Sequence, residues 1–216
     1  MAYQELKDRQ RKERDTYGQY LTVRIHRALS WLNKAEQCVD DSDSHVIFLW
    51  IAFNAAYAYE ICFENYVHEK KLIGDFINRL CELDDKNRLE NLVWTEFTKS
   101  IRVLLDNQYV FQPFWDHLNS KITEKEWKRQ FTQAKAAANS ALGKKKTADV
   151  LSIVLSRIYT LRNQIVHGGS TWNSSVNRRQ IKDCSKFMAH LVPLVIEIMM
   201  DNPDLLWGQP CYPVIS

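Results

Sequence analysis

Apolar residues return along this chain at the three- and four-residue intervals of a helix, in one segment after another. Over 17–39 they fall at Leu21, Ile25, Leu29 and Leu32, then Ala35 or Glu36, against a polar back face. An Asp-Asp-Ser-Asp-Ser turn at 40–44 supplies an N-cap. Beyond it, 46–66 is apolar on most sides and reads as a long buried helix. A shorter amphipathic piece covers 73–83, and Leu89, Leu92, Val93, Phe97, Ile101 and Leu104 mark one long helix over 84–107. Pro113 among Phe111, Phe114 and Trp115 reads as an aromatic corner rather than a regular helix. The capping box Thr123-Glu124-Lys125-Glu126 restarts a helix over 123–142 that ends at Gly143. Helices over 147–167 and 174–200 complete the pattern. The prediction is an all-α fold: a charged helix or arm over 1–15, one bundle of long helices over 16–201, and a proline-rich tail over 202–216. No internal repeat or low-complexity linker divides it.

Composition narrows the options. Six glycines and five prolines in 216 residues leave room for long helices and short loops. With 45% hydrophobic residues the chain fills one large core. The balance of 29 basic against 26 acidic residues is too even to imply a nucleic-acid partner, so any such claim must rest on local clusters. Cys38, Cys62, Cys81, Cys184 and Cys211 are odd in number, dispersed and without a Cys-x-x-Cys pair, as expected of reduced thiols in a cytoplasmic protein. The charged amino-terminal stretch lacks an apolar h-region, so no signal peptide is expected. Asn54 and Glu60 interrupt the most apolar run, 46–63, which favours a core helix over a membrane span.

The chemistry concentrates at Leu161-Arg162-Asn163-Gln164-Ile165-Val166-His167-Gly168-Gly169. Arginine grips phosphate oxygens in pairs, and histidine takes and gives a proton near neutrality. Five positions apart on a helix, Arg162 and His167 point about 140° away from each other. The two glycines sit where a C-terminal cap wants them, so His167 is expected in the last turn, free to approach whatever Arg162 holds. The plainer reading is a helix-end histidine favoured by the macrodipole beside a surface arginine. Among all the arginines only Arg162 has a histidine five places on.

Other clusters are weaker. Gly143-Lys144-Lys145-Lys146 fails as a phosphate loop, because Ala138 stands where the first glycine belongs and no Ser or Thr follows Lys144. Lys144, Lys145, Lys146, Arg178 and Arg179 are candidates for steering RNA, against the common reading of short charge runs as solvated faces. Trp172 is a candidate for stacking a base, against a role in packing; Trp31, Trp50 and Trp94 read as core. His26, His45, His68, His117 and His190 show no metal-ligand spacing, and neither a metal nor a cofactor is expected.

Arg162-Asn163-x-x-x-His167-Gly168, together with Trp50-x-x-x-Asn54-x-x-Tyr57 on the earlier apolar helix, resembles the Arg-x4-His signature of the HEPN superfamily, most closely its Apea-like branch. The resemblance covers about 17–200. It implies an HEPN-like helical bundle, here with an extra helical insert over about 67–146, that forms a homodimer and cleaves RNA without a metal. His167 would be general acid or base, Arg162 would hold the phosphate and Asn163 would orient one or the other. Asn54, Tyr57 and Glu60 would come near the cleft. A toxin or antiviral setting, with an antitoxin or regulatory partner protein and no membrane, goes with that reading. The alternative is a non-catalytic helical interaction or nucleotide-binding module.

Overall fold

The computed structural model describes residues 2–58, 66–175, 177–205 and 207–212. Glu60 and Cys62 lie outside the described residues, as does the side chain of His68. The fold is all-α. Among the described residues ten α-helices follow one another: α1 Ala2–Glu13, α2 Gln19–Glu36, α3 Ser42–Tyr57, α4 Tyr66–Leu83, α5 Arg88–Asn91, α6 Thr98–Leu105, α7 Gln112–Leu118, α8 Glu124–Gly143, α9 Thr147–Val166 and α10 Arg178–Asp201. Among the described residues, no helix is long and apolar enough to cross a membrane.

Helix α3 is the axis of the bundle, packed chiefly between α2 and α10, while α4 packs on α9. Its start follows the acidic turn: the Asp41 carboxylate accepts the Asp43 and Ser44 N–H groups at 3.1 and 3.3 Å. Its end does not follow the hydrophobic pattern, which continues to residue 66, because the helix stops at Tyr57 and Ala58 is extended. Arg24 of α2, fully buried, explains the stop. Its guanidinium donates to the carbonyls of Ala55, Ala56 and Ala58 at 3.0–3.4 Å, placing a cation where the helix dipole is negative. The same group donates to Gly208 and Gln209, so the tail is tied to the end of α3.

The helix expected over 84–107 is broken. The Asp84 carboxylate takes the Leu89 N–H at 2.7 Å and the Arg88 guanidinium at 2.8 Å, and Asn87 turns left-handed before α5. A π-helical turn over Leu92–Glu96 then separates α5 from α6. There the Thr98 hydroxyl donates to the carbonyls of Val93 and Trp94, competing with the helical ladder. The aromatic corner proves to be α7, with Pro113 in its first turn, where the missing N–H is harmless. Half of the expected capping box forms: Thr123 Oγ1 accepts the Glu126 N–H, but the Glu126 carboxylate turns to Arg129 and Gln130. The segment 67–146 is part of the same core, to which it contributes Ile73, Ile77, Leu80, Leu89, Leu92 and Ile101 among others.

Candidate active site at the end of helix α9

Helix α9 carries Arg162 and Asn163 beside the middle of α3 and ends at His167. The end of the helix is closed by the two glycines. Gly169 N–H donates to the Gln164 carbonyl at 2.7 Å and Gly168 N–H to that of Ile165 at 3.1 Å, with Gly168 left-handed at φ +70°. This pairing is the Schellman arrangement. A Cβ added at Gly169 would stand 3.0 Å from the Gln164 oxygen. His167 is the capping residue, and its ring is exposed, with no hydrogen bond or ion pair among the described residues.

Arg162 points elsewhere. Its guanidinium lies over the rings of Trp50 and Tyr159, 5.4 and 4.8 Å from their centroids, and Nη1 donates to Asn163 Oδ1 at 2.8 Å. Among the described residues, Nε is buried without a hydrogen-bond partner, and so are Trp50 Nε1 and Asn54 Oδ1 on α3. The structure therefore brings Arg162 and Asn163 together, on the α3 side of the helix. It does not bring them to His167 within one chain. Asn163 orients Arg162, not the histidine.

The remaining candidates disperse. Lys144, Lys145 and Lys146 are exposed at the opposite end of α9, a 20-residue helix about 30 Å long, so they do not join the motif. Lys145 is left-handed in the turn between α8 and α9, and Lys146 faces Asp149 at 3.5 Å. Arg178 is not a free cation: it donates to the buried carboxylate of Asp43 at 2.7 Å, where the Asn173 N–H also binds. A buried carboxylate needs that charge, so Arg178 holds α10 to the start of α3. Arg179 stays exposed, 3.9 Å from Asp183.

Trp172 is 73% exposed, so it is not packed into the core. Its Nε1 donates to Asp41, and its ring forms one wall of a 260 Å³ cleft with Ile47, Phe48, Ile165 and Thr171. Tyr57 is buried, with its ring against Phe53 and Phe76, because its place on α3 turns it into the core. Asn54 lines a second cleft, formed with α2 and the tail, away from His167. Trp31, expected in the core, is instead 37% exposed and stacked on Phe48.

Two arrangements escaped the sequence reading. Asp43 and Arg178 pair across 135 positions, with no local signal beyond the acidic turn itself. Buried His45 lies 2.7 Å, through Nδ1, from Ser185 Oγ. Burial holds its pKa below the ordinary value, with Glu36 pulling weakly the other way. Among the described residues no three His, Cys, Asp or Glu side chains gather as metal ligands. No family model, curated protein or solved structure matches the chain.

Proposed function

We propose that this chain is a metal-independent endoribonuclease of the HEPN type. The observation that carries the reading is His167: an exposed imidazole with no partner among the described residues, on a helix end closed by two glycines, following Arg162 and Asn163 at the motif spacing. RNA brings its own nucleophile. The 2'-hydroxyl oxygen attacks the neighbouring phosphorus, the bond to the 5'-oxygen breaks, and a 2',3'-cyclic phosphate forms. The reaction needs a base for the 2'-hydroxyl proton, an acid for the leaving oxygen, and a cation for the charge that builds on phosphate. His167 fills the first or second role and Arg162 the third, once the guanidinium swings from Trp50 toward the substrate.

One histidine cannot serve as acid and base in the same step. A homodimer that presents two copies of the motif supplies the other, and it also places one chain's Arg162 against its partner's substrate. Such an activity would poison its own cell unless restrained. That suits a cytoplasmic toxin or antiviral setting with an antitoxin or other regulatory partner. A second reading has its own support: Arg162 lying on Trp50 and Tyr159 is what a packing residue of a non-catalytic interaction module would do.

The test is cleavage of total RNA and bulk tRNA by the purified chain in EDTA, beside His167→Ala and Arg162→Ala. Cleavage that leaves 2',3'-cyclic ends and disappears in both variants is expected. Activity that persists without His167 would sink the proposal, and a folded wild type inert toward every RNA would favour the interaction module.

A further inference from the structure

Gln164 stands between Arg162 and His167 and makes three attachments that the motif spacing does not announce. Its backbone oxygen accepts the Gly169 N–H at 2.7 Å, the bond that closes α9. Its side-chain Nε2 donates to the carbonyl of Tyr109 at 2.6 Å, across 55 positions. Its Oε1 accepts from Nδ2 of Asn177 at 3.3 Å, and Asn177 is the left-handed residue that precedes α10. One side chain thus joins the last turn of α9 to the segment 67–146 and to the entry of α10.

The far anchor is held independently of Gln164. Tyr109 lies in a single tight turn over Gln108–Val110, capped by Asn107, whose Oδ1 accepts the Tyr109 N–H at 2.9 Å. Val110 is wholly buried, and Trp115 Nε1 of α7 donates to the same Tyr109 carbonyl at 2.8 Å. That oxygen has two lone pairs and two N–H donors, Trp115 and Gln164. A carbonyl only accepts, so the Gln164 amide lies with its NH2 toward Tyr109 and its oxygen toward Asn177. His167 has need of such a frame. Its exposed ring hangs on the final turn of a helix, where backbone hydrogen bonds open most easily. Tethers to two distant segments remove that freedom.

We propose that Gln164 is the positioning residue of this site, clamping the turn that presents His167 to Tyr109 on one side and Asn177 on the other. The inference rests on the ribonuclease reading and deepens it. The segment 67–146 serves the reaction through the carbonyl of Tyr109, by fixing where the histidine stands. A general acid or base displaced by even an ångström loses much of its effect, while the contacts that hold the substrate remain. Loss of the clamp is therefore a loss in the chemical step and not in affinity.

The experiment compares the full chain with Gln164→Leu, Gln164→Glu and Asn177→Ala, in RNA cleavage and in amide hydrogen exchange. Leucine keeps the size and removes both bonds; glutamate keeps the acceptor for Asn177 but sets an oxygen against the Tyr109 carbonyl. Melting curves correct each rate for the folded fraction. In both Gln164 variants kcat should fall roughly ten- to a hundredfold with KM nearly unchanged, and Asn177→Ala should fall less. The Gly168 and Gly169 amides should exchange roughly tenfold faster in Gln164→Leu, while those of α3 keep their wild-type rates. Both effects together uphold the proposal. A wild-type kcat, a KM raised in step with the lost rate, or wild-type exchange at Gly168 and Gly169 in Gln164→Leu overturns it and leaves the ribonuclease reading standing. A wild type that cleaves no RNA sinks that reading and with it any role of Gln164 in the reaction; the exchange data then show by themselves whether the clamp holds the turn.

Discussion

Two arginines lie against helix α3, and their surroundings complete them in opposite ways. Arg24, at the carboxyl end of the helix, is fully buried and donates to five backbone carbonyls on α3 and the tail. Arg162, at the middle of the helix, lies over Trp50 and Tyr159, has Asn163 as its hydrogen-bond acceptor and keeps a buried Nε without one. A buried donor left unmatched costs about 1–3 kcal/mol. The region around Arg24 is thus finished for stability, and the region around Arg162 is not. Trp50 Nε1 and Asn54 Oδ1 extend the unfinished patch along α3. Groups left unmatched inside a folded chain are the ones a ligand or a second chain can complete.

The comparison is broken most directly by removing each arginine in turn. Arg24→Ala strips the end of α3 of its cation and releases the tail, and should lower stability by roughly 3–5 kcal/mol, as loss of a buried charged network does. Arg162→Ala gives up two ring contacts worth about 0.5–1 kcal/mol each and relieves an unmatched donor. Its net effect on stability should stay within about 1 kcal/mol, while RNA cleavage is lost. Urea titration of the two variants checks the pair. An Arg162→Ala protein as unstable as Arg24→Ala would place both arginines in the scaffold.

Next in size is the pair that ties α10 to α3. Arg178→Ala leaves the Asp43 carboxylate, 7% exposed, without its cation, and should cost about 2–3 kcal/mol. Asp43→Asn together with Arg178→Ala should recover part of that loss, since neither charge is then stranded. RNA binding should be no weaker than the loss of folded protein explains. A drop in affinity beyond that would return Arg178 to the substrate surface.

What could be read from the sequence was local. The end of α9 followed from Gly168 and Gly169, because a Schellman cap needs only neighbours along the chain. The acidic start of α3 followed for the same reason. The end of α3 did not, because Arg24 caps it from another helix and no pattern within 46–66 records that. Likewise the π-helical turn depends on one threonine hydroxyl taking two carbonyls in a stretch whose hydrophobic spacing still reads as helix. Candidate residues fared by the same rule. Arg162 and Asn163 meet as chain neighbours, whereas Lys144, Lys145 and Lys146 are close to the motif in sequence only through a helix that carries them to its far end.

A smaller effect separates the finished core from the carboxylate surface by pH. Burial keeps the His45 imidazole below its ordinary pKa, so the folded chain resists a proton that the unfolded chain accepts near pH 6.5. Stability from this group is therefore complete above about pH 6.5 and declines as pH falls below it. Asp41 and Asp201 act lower down, because their carboxylates are held below the ordinary value despite the opposing effect of burial, Asp41 chiefly by Ser44 and Asp201 by Arg9. Their contribution fades only as pH drops through the carboxylate range. The urea midpoint should fall from pH 7.5 to pH 5.5 in the wild type and hold steady in His45→Gln, if that variant keeps its bond to Ser185.

A comparably small change in stability is expected at the two glycines, and it bears directly on the unfinished region. Gly168→Ala forces a side chain into a left-handed position and should cost about 1 kcal/mol. Gly169→Ala sets a Cβ 3.0 Å from the Gln164 oxygen, which must move a few tenths of an ångström and loosen the 2.7 Å bond that closes the helix. That carbonyl belongs to the turn that carries His167, so the loss in stability, also about 1 kcal/mol or less, should come with a larger loss of cleavage. Arg24 and the core around it are untouched by either change. A Gly169→Ala protein that melts slightly lower but cleaves RNA at the wild-type rate would mean that the position of His167 does not matter to the reaction, and the exposed imidazole would then be only the cap of its helix.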